Sequence, residues 1–121
     1  MNQKIIFVYN ADSSPFALLT DYVHKIVSPQ TYECNLCALT YGNLGMKKRW
    51  KDFVESLKDE VVFLHKDELI KQHPSLASTA LPTILCQKDK DKTPSVCVSE
   101  KQINAAKSLD ELQSLVRAIN K

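Results

Sequence analysis

Two thiols spaced two residues apart, in Cys34-Asn35-Leu36-Cys37, carry the sharpest chemical signal in this chain. At that spacing two cysteines can close a small disulfide ring, or offer two thiolates to one metal ion. Buried, they are simply core, because a free cysteine packs like a small hydrophobe. In the redox reading Cys34 attacks and Cys37 resolves, since the first cysteine of such a pair is as a rule the more exposed. Lys47, Lys48 and Arg49 would add positive charge if the loop before them folds back toward the thiols. The other two cysteines, Cys86 and Cys97, are equidistant from a point between Asp91 and Lys92. In a regular hairpin they are cross-strand neighbours. Two reduced core thiols are expected there, with a disulfide as the geometric alternative that a reducing compartment opposes. All four cysteines would make a four-thiolate zinc set, although no second CxxC supports it.

Of the three histidines, His65 follows Val61-Val62-Phe63-Leu64 at the carboxyl end of a predicted strand. Open α/β sheets place ligands at that end, so His65 is the candidate base or metal partner. His24, among Tyr22, Val23 and Ile26, and His73, before Pro74, read as ordinary helix and loop residues. Asp12 reads as a turn and capping residue rather than an acid. Gly42-Asn43-Leu44-Gly45, ahead of Lys47, Lys48 and Arg49, offers backbone N–H groups to an anion. A plain loop before a solvated basic face is the expectation. Trp50 falls on the apolar side of the following helix, so Lys47-Lys48-Arg49-Trp50-Lys51 is not read as a nucleic-acid patch.

Composition narrows the classes further. A 121-residue chain buries roughly two-thirds of its unfolded surface and needs no metal to hold a core. Hydrophobic residues at 44% and charged residues at 25% fit one average globular domain, 1–121. There are 2 glycines, where average usage of ~7% gives about eight. Their scarcity excludes GxGxxG, GxxxxGK[ST] and GxSxG loops. No cofactor is expected. A net charge of +2, scattered along the chain, argues against nucleic acid. No apolar run approaches the ~18 residues of a membrane span, and the opening residues Met1 to Tyr9 lead into no cleavage site. The Lys-Asp-Glu-Leu string at 66–69 is internal and cannot act as a retention address. A soluble, cytoplasmic protein is expected.

The elements that must position these residues follow from hydrophobic spacing. Lys4 to Tyr9 is an Ile/Val-rich run that reads as a buried strand. Ser13 or Ser14 caps a helix with Pro15 at its first position, and Phe16, Leu19, Val23 and Ile26 give it helical spacing up to Ser28-Pro29. Thr31 to Leu39 is ambiguous, with strand-like residues around the first two cysteines, and Ala38-Leu39-Thr40-Tyr41 reads as extended or irregular. Met46, Trp50, Phe53 and Leu57 mark a helix starting after Gly45. Val61 to Leu64 is a second buried strand, and Asp67 to Gln72 a short helix closed by Pro74. Leu81 to Cys86 and Ser95 to Ser99 form a hairpin across the charged turn Lys88 to Lys92. A capping box, Ser108-Leu109-Asp110-Glu111, opens a last helix with Leu109, Leu112, Leu115, Val116 and Ile119 on one side. These elements imply a mixed sheet flanked by helices.

That order resembles the thioredoxin-like fold over nearly the whole chain. Leu81-Pro82-Thr83-Ile84 is similar to the cis-proline segment that leads into the third strand of thioredoxin-like proteins, so a cis bond before Pro82 is expected. Ile103 and the Ser108-Leu109-Asp110-Glu111-Leu112 helix resemble a glutaredoxin-type ending. Small bacterial proteins with a similar Tyr-Asn-Ala-Asp-Ser segment followed by Cys-x-Leu-Cys offer another resemblance, which implies no activity. In the DCC-type thiol-disulfide oxidoreductases a DGxCxxC loop follows the first strand. Here Ser13 and Phe16 stand where its cysteines would, so exchange at that loop is excluded. The resemblance therefore implies either thiol-disulfide redox through Cys34 and Cys37 with a protein thiol partner, or a non-catalytic module that binds zinc or a partner protein.

Overall fold

The computed structural model describes residues 3–10, 35–42 and 45–119. The predicted helix after Pro15, its Ser13 or Ser14 cap, His24 and Cys34 lie outside the described residues. Strand β1, Gln3–Val8, is apolar on both faces because it is a central strand, and Ile5 through Val8 are all buried. It runs parallel to β4, Glu60–Leu64, and antiparallel to β5, Thr83–Lys88, whose hairpin partner is β6, Ser95–Val98. The sheet order is β4-β1-β5-β6. The molecule is thus α/β with a mixed four-stranded sheet, and the 83–98 hairpin forms as expected. The Leu81–Pro82 peptide bond is cis, again as expected.

Period-2 alternation along β1 divides the core. Ile5, Phe7 and Tyr9 join Leu36, Trp50, Ile84, Cys86, Val98, Ile103, Leu112 and Val116 on one face. Ile6, Val8, Leu64, Leu69 and Leu85 pack together on the other. The first face is covered by α1, Asn35–Thr40, α2, Lys48–Ser56, α4, Glu100–Ala105, and α5, Leu109–Ala118. The second is covered by α3, Lys66–Gln72, followed by a 3-10 turn over Pro74–Leu76.

Three local expectations need correction. Residues 35–40 are helical, so Ala38 to Thr40 are neither extended nor irregular: Leu36 is fully buried, and the Thr40 hydroxyl donates to the Leu36 carbonyl at 2.7 Å. Tertiary burial overrides the strand-like composition there. The helix after Gly45 begins at Lys48, because Gly45–Met46 (β3) first pairs with Tyr41–Gly42 (β2) in a small antiparallel ribbon. Helix α4 was not anticipated, yet its signal is a second capping box, Ser99 to Gln102. There the Ser99 N–H donates to Gln102 Oε1 at 2.9 Å, and the Gln102 N–H returns to Ser99 Oγ at 3.3 Å.

Candidate functional site

The carboxyl ends of β1 and β4 and the start of β5 meet at one edge of the sheet. Val8 lies opposite Leu64 on one side and Thr83 on the other, and the Tyr9 N–H donates to the Leu64 carbonyl at 2.9 Å. The Leu81–Pro82 turn therefore lies beside the exit of β1. Thr83 is buried and its hydroxyl donates to the Val98 carbonyl at 2.9 Å, which ties the start of β5 to the end of β6.

His65 sits at this edge as the residue that leads into α3. Its ring is 5.7 Å from the Tyr9 ring, which in turn stacks on Phe63 at 6.1 Å. The Glu68 carboxylate accepts the His65 backbone N–H at 2.9 Å and meets His65 Nδ1 at 2.7 Å through the same oxygen. Those contacts hold the Glu68 pKa below its ordinary value; the backbone donor acts most strongly, then the ring, against a smaller opposing push from burial. A neutral His65 that donates from Nδ1 carries its lone pair on Nε2. His65 thus stands at the start of α3 with its ring held by Glu68.

The CxxC enters helix α1: Cys37 is its third residue, and Cys34 lies outside the described residues. Where a plain loop is expected before the basic residues, Gly42 lies opposite Gly45 in the β2–β3 ribbon, and Asn43 and Leu44 lie outside the described residues. Of the basic residues after it, Lys48 pairs with Asp52 at 3.4 Å and Arg49 pairs with Asp110. Carboxylates take those charges, in keeping with a solvated basic face. Trp50 is fully buried, edge-on to Phe7 at 5.3 Å, so the basic run presents no aromatic platform.

Cys86 and Cys97 are not two reduced thiols. They form a disulfide with a Cα–Cα separation of 5.9 Å. Nor are they direct cross-strand neighbours: Cys86 lies opposite Ser95, and Leu85 lies opposite Val96. The ladder then shifts, so that Ile84 lies opposite Val98 and Cys97 is the extra residue of a bulge. Diagonal neighbours in a regular ladder are about 7–8 Å apart, beyond comfortable disulfide reach. The bulge closes that gap. The neighbour expectation failed because the ladder centres the hairpin between Lys90 and Asp91, not between Asp91 and Lys92, so Cys86 faces Ser95. With these two sulfurs bonded to each other, the four-thiolate zinc set is not available. Among the described residues no group of three or more His, Cys, Asp and Glu side chains could hold a metal ion.

At the opposite end of the sheet, Gln3, Lys4, Glu60, Gln87, Lys88, Asp89 and Asp91 line an open polar cleft of about 250 Å³. Charges of both signs share it, with Lys4 and Glu60 at 3.7 Å. No described helix is long and apolar enough to cross a membrane. The chain matches no protein-family model, no curated protein and no solved structure.

Proposed function

We propose that this chain is a single cytoplasmic thioredoxin-like domain, 1–121, that exchanges thiols and disulfides with a protein partner through Cys34 and Cys37. The observation that carries this reading is the sheet. A parallel β1–β4 pair, an antiparallel β5 and its hairpin partner β6 bring the Leu81–Pro82 turn beside the exit of β1. In the exchange, the Cys34 thiolate attacks one sulfur of the partner's disulfide, and the partner's other sulfur leaves as a thiol. Cys37 then attacks the mixed disulfide at Cys34, which releases the partner as a dithiol and leaves Cys34 and Cys37 oxidised. His65 Nε2 is the proton acceptor assigned to the attacking thiol, with Glu68 fixing the ring.

The test is peptide-resolved thiol labelling with and without reductant, beside metal analysis of the purified protein. Cys34 and Cys37 should gain label together on reduction, without bound metal. Cys34→Ser should abolish the reversible change at Cys37 and leave the fold intact. Stoichiometric zinc that shields both cysteines would replace this proposal with the binding module. A Cys37 titration unaltered by Cys34→Ser would leave both thiols structural.

A further inference from the structure

Four features converge on the β5–β6 hairpin. The ladder pairs Ile84 with Val98, Leu85 with Val96 and Cys86 with Ser95, and the Cα atoms of the two cysteines are 5.9 Å apart. The bulge frees Cys97 from a ladder pair. Cys97 Sγ also lies 3.4 Å from the Ile84 carbonyl oxygen. A disulfide sulfur has no proton to donate, so that contact becomes a hydrogen bond only when Cys97 is a thiol. Finally, β6 is the outermost strand of the described sheet on its side, with Ser95 and Val96 exposed and Cys97 half-buried, whereas Cys86 is only 9% exposed.

We infer that Cys86 and Cys97 are a second thiol-disulfide centre, reduced and reoxidised within the folded protein by a dithiol of a protein or small-molecule partner. It is separate from the exchange proposed for Cys34 and Cys37 and does not rest on it. Cys97 is the sulfur that the partner meets. A partner thiolate attacks Cys97 Sγ in line with the S–S bond, and the bonding pair leaves on Cys86 Sγ, which takes a proton. The partner's second thiolate then attacks its own sulfur in the mixed disulfide. Cys97 leaves with its electron pair, takes a proton and donates it to the Ile84 carbonyl. The partner ends as a disulfide and the protein as a dithiol. The paired hairpin keeps both thiols adjacent, so the reverse reaction proceeds without a search.

The experiment uses the full chain carrying Cys34→Ser and Cys37→Ser, which isolates this pair and leaves the first proposal to stand or fall separately. The variant is equilibrated with reduced and oxidised dithiothreitol in varying ratio, alkylated, and read by mass, with circular dichroism on the same samples. Cys86 and Cys97 should gain label together at one midpoint, return on reoxidation, and leave the spectrum unchanged. In Cys86→Ser, Cys97 should form a mixed disulfide with oxidised glutathione at least tenfold faster than Cys86 does in Cys97→Ser. Labelling that requires denaturant, loss of the folded spectrum on reduction, or two free thiols under oxidising buffer would each overturn the inference. If the Cys34→Ser/Cys37→Ser chain does not fold, peptide-resolved labelling of the unmodified chain in the same buffers gives the same readout.

Discussion

Glu68 is the described side chain whose ionisation matters most to the candidate edge, because one of its oxygens serves both the His65 amide and the His65 ring. Its pKa is lowered in the folded protein. A depressed carboxyl stabilises the fold above its unfolded pKa, about 4.3 for glutamate, and loses that contribution as pH falls through the folded value. Glu68→Ala should therefore cost about 0.5–1 kcal/mol near neutral pH, in the range of an exposed cap. The gap between the two proteins should close as the pH drops well below 4, which urea unfolding at a series of pH values would show. A gap independent of pH would mean that Glu68 acts by packing alone. The same variant probes the base assignment, since a released His65 ring should alter the pH profile of Cys34 alkylation. At this scale His65 was legible as a strand-end residue. Its partner was not, because that partner depends on α3 starting at Lys66, directly after His65, rather than at Asp67.

Between elements, the α2–α5 pair shows how spacing becomes packing. Trp50 meets Phe7 and lies 5.5 Å from Phe53, and Arg117 on α5 sits over the Phe53 ring at 5.1 Å. Helix α2 has no side-chain cap at its start, so this buried aromatic face holds it rather than local propensity. Trp50→Ala should cost about 3–5 kcal/mol, the usual figure for deleting a fully buried large side chain. Trp50→Phe should cost far less. Trp50 Nε1 is buried with no hydrogen-bond partner among the described residues, so phenylalanine deletes ring volume without stranding an acceptor there. Equal losses for the two variants in urea unfolding would show that the indole edge matters more than its bulk. Trp50, Leu112 and Val116 were readable as core because a 3.6-residue period survives in long helices. Helix α1 was not, since its six residues lack a cap signal and owe their helicity to Leu36 being buried from outside the segment.

For the whole molecule, the disulfide is a constraint on the unfolded chain as well as a site. It spans 11 positions, a short closed loop. Loop-closure entropy at that length corresponds to about 2–3 kcal/mol in favour of the oxidised fold. That is a substantial fraction of the ~5–15 kcal/mol that holds a typical domain together, but smaller than the whole. The β1–β5 and β5–β6 ladders, the Thr83–Val98 hydrogen bond and both apolar faces of β1 are made without the S–S bond, so the reduced chain should keep them. Reduction should therefore lower the urea midpoint while the reduced protein still unfolds in one cooperative transition. Linkage makes the same free energy appear in the redox equilibrium: folding should favour the disulfide over the dithiol by roughly 30- to 150-fold relative to the unfolded chain. Thiol-disulfide equilibration in and out of denaturant measures that ratio directly. If it is near one, the hairpin already confines the unfolded chain, and the bond adds chemistry without adding stability. If it is far above that range, the reduced hairpin is not held by its ladder, and the two thiols cannot find each other again in the folded state.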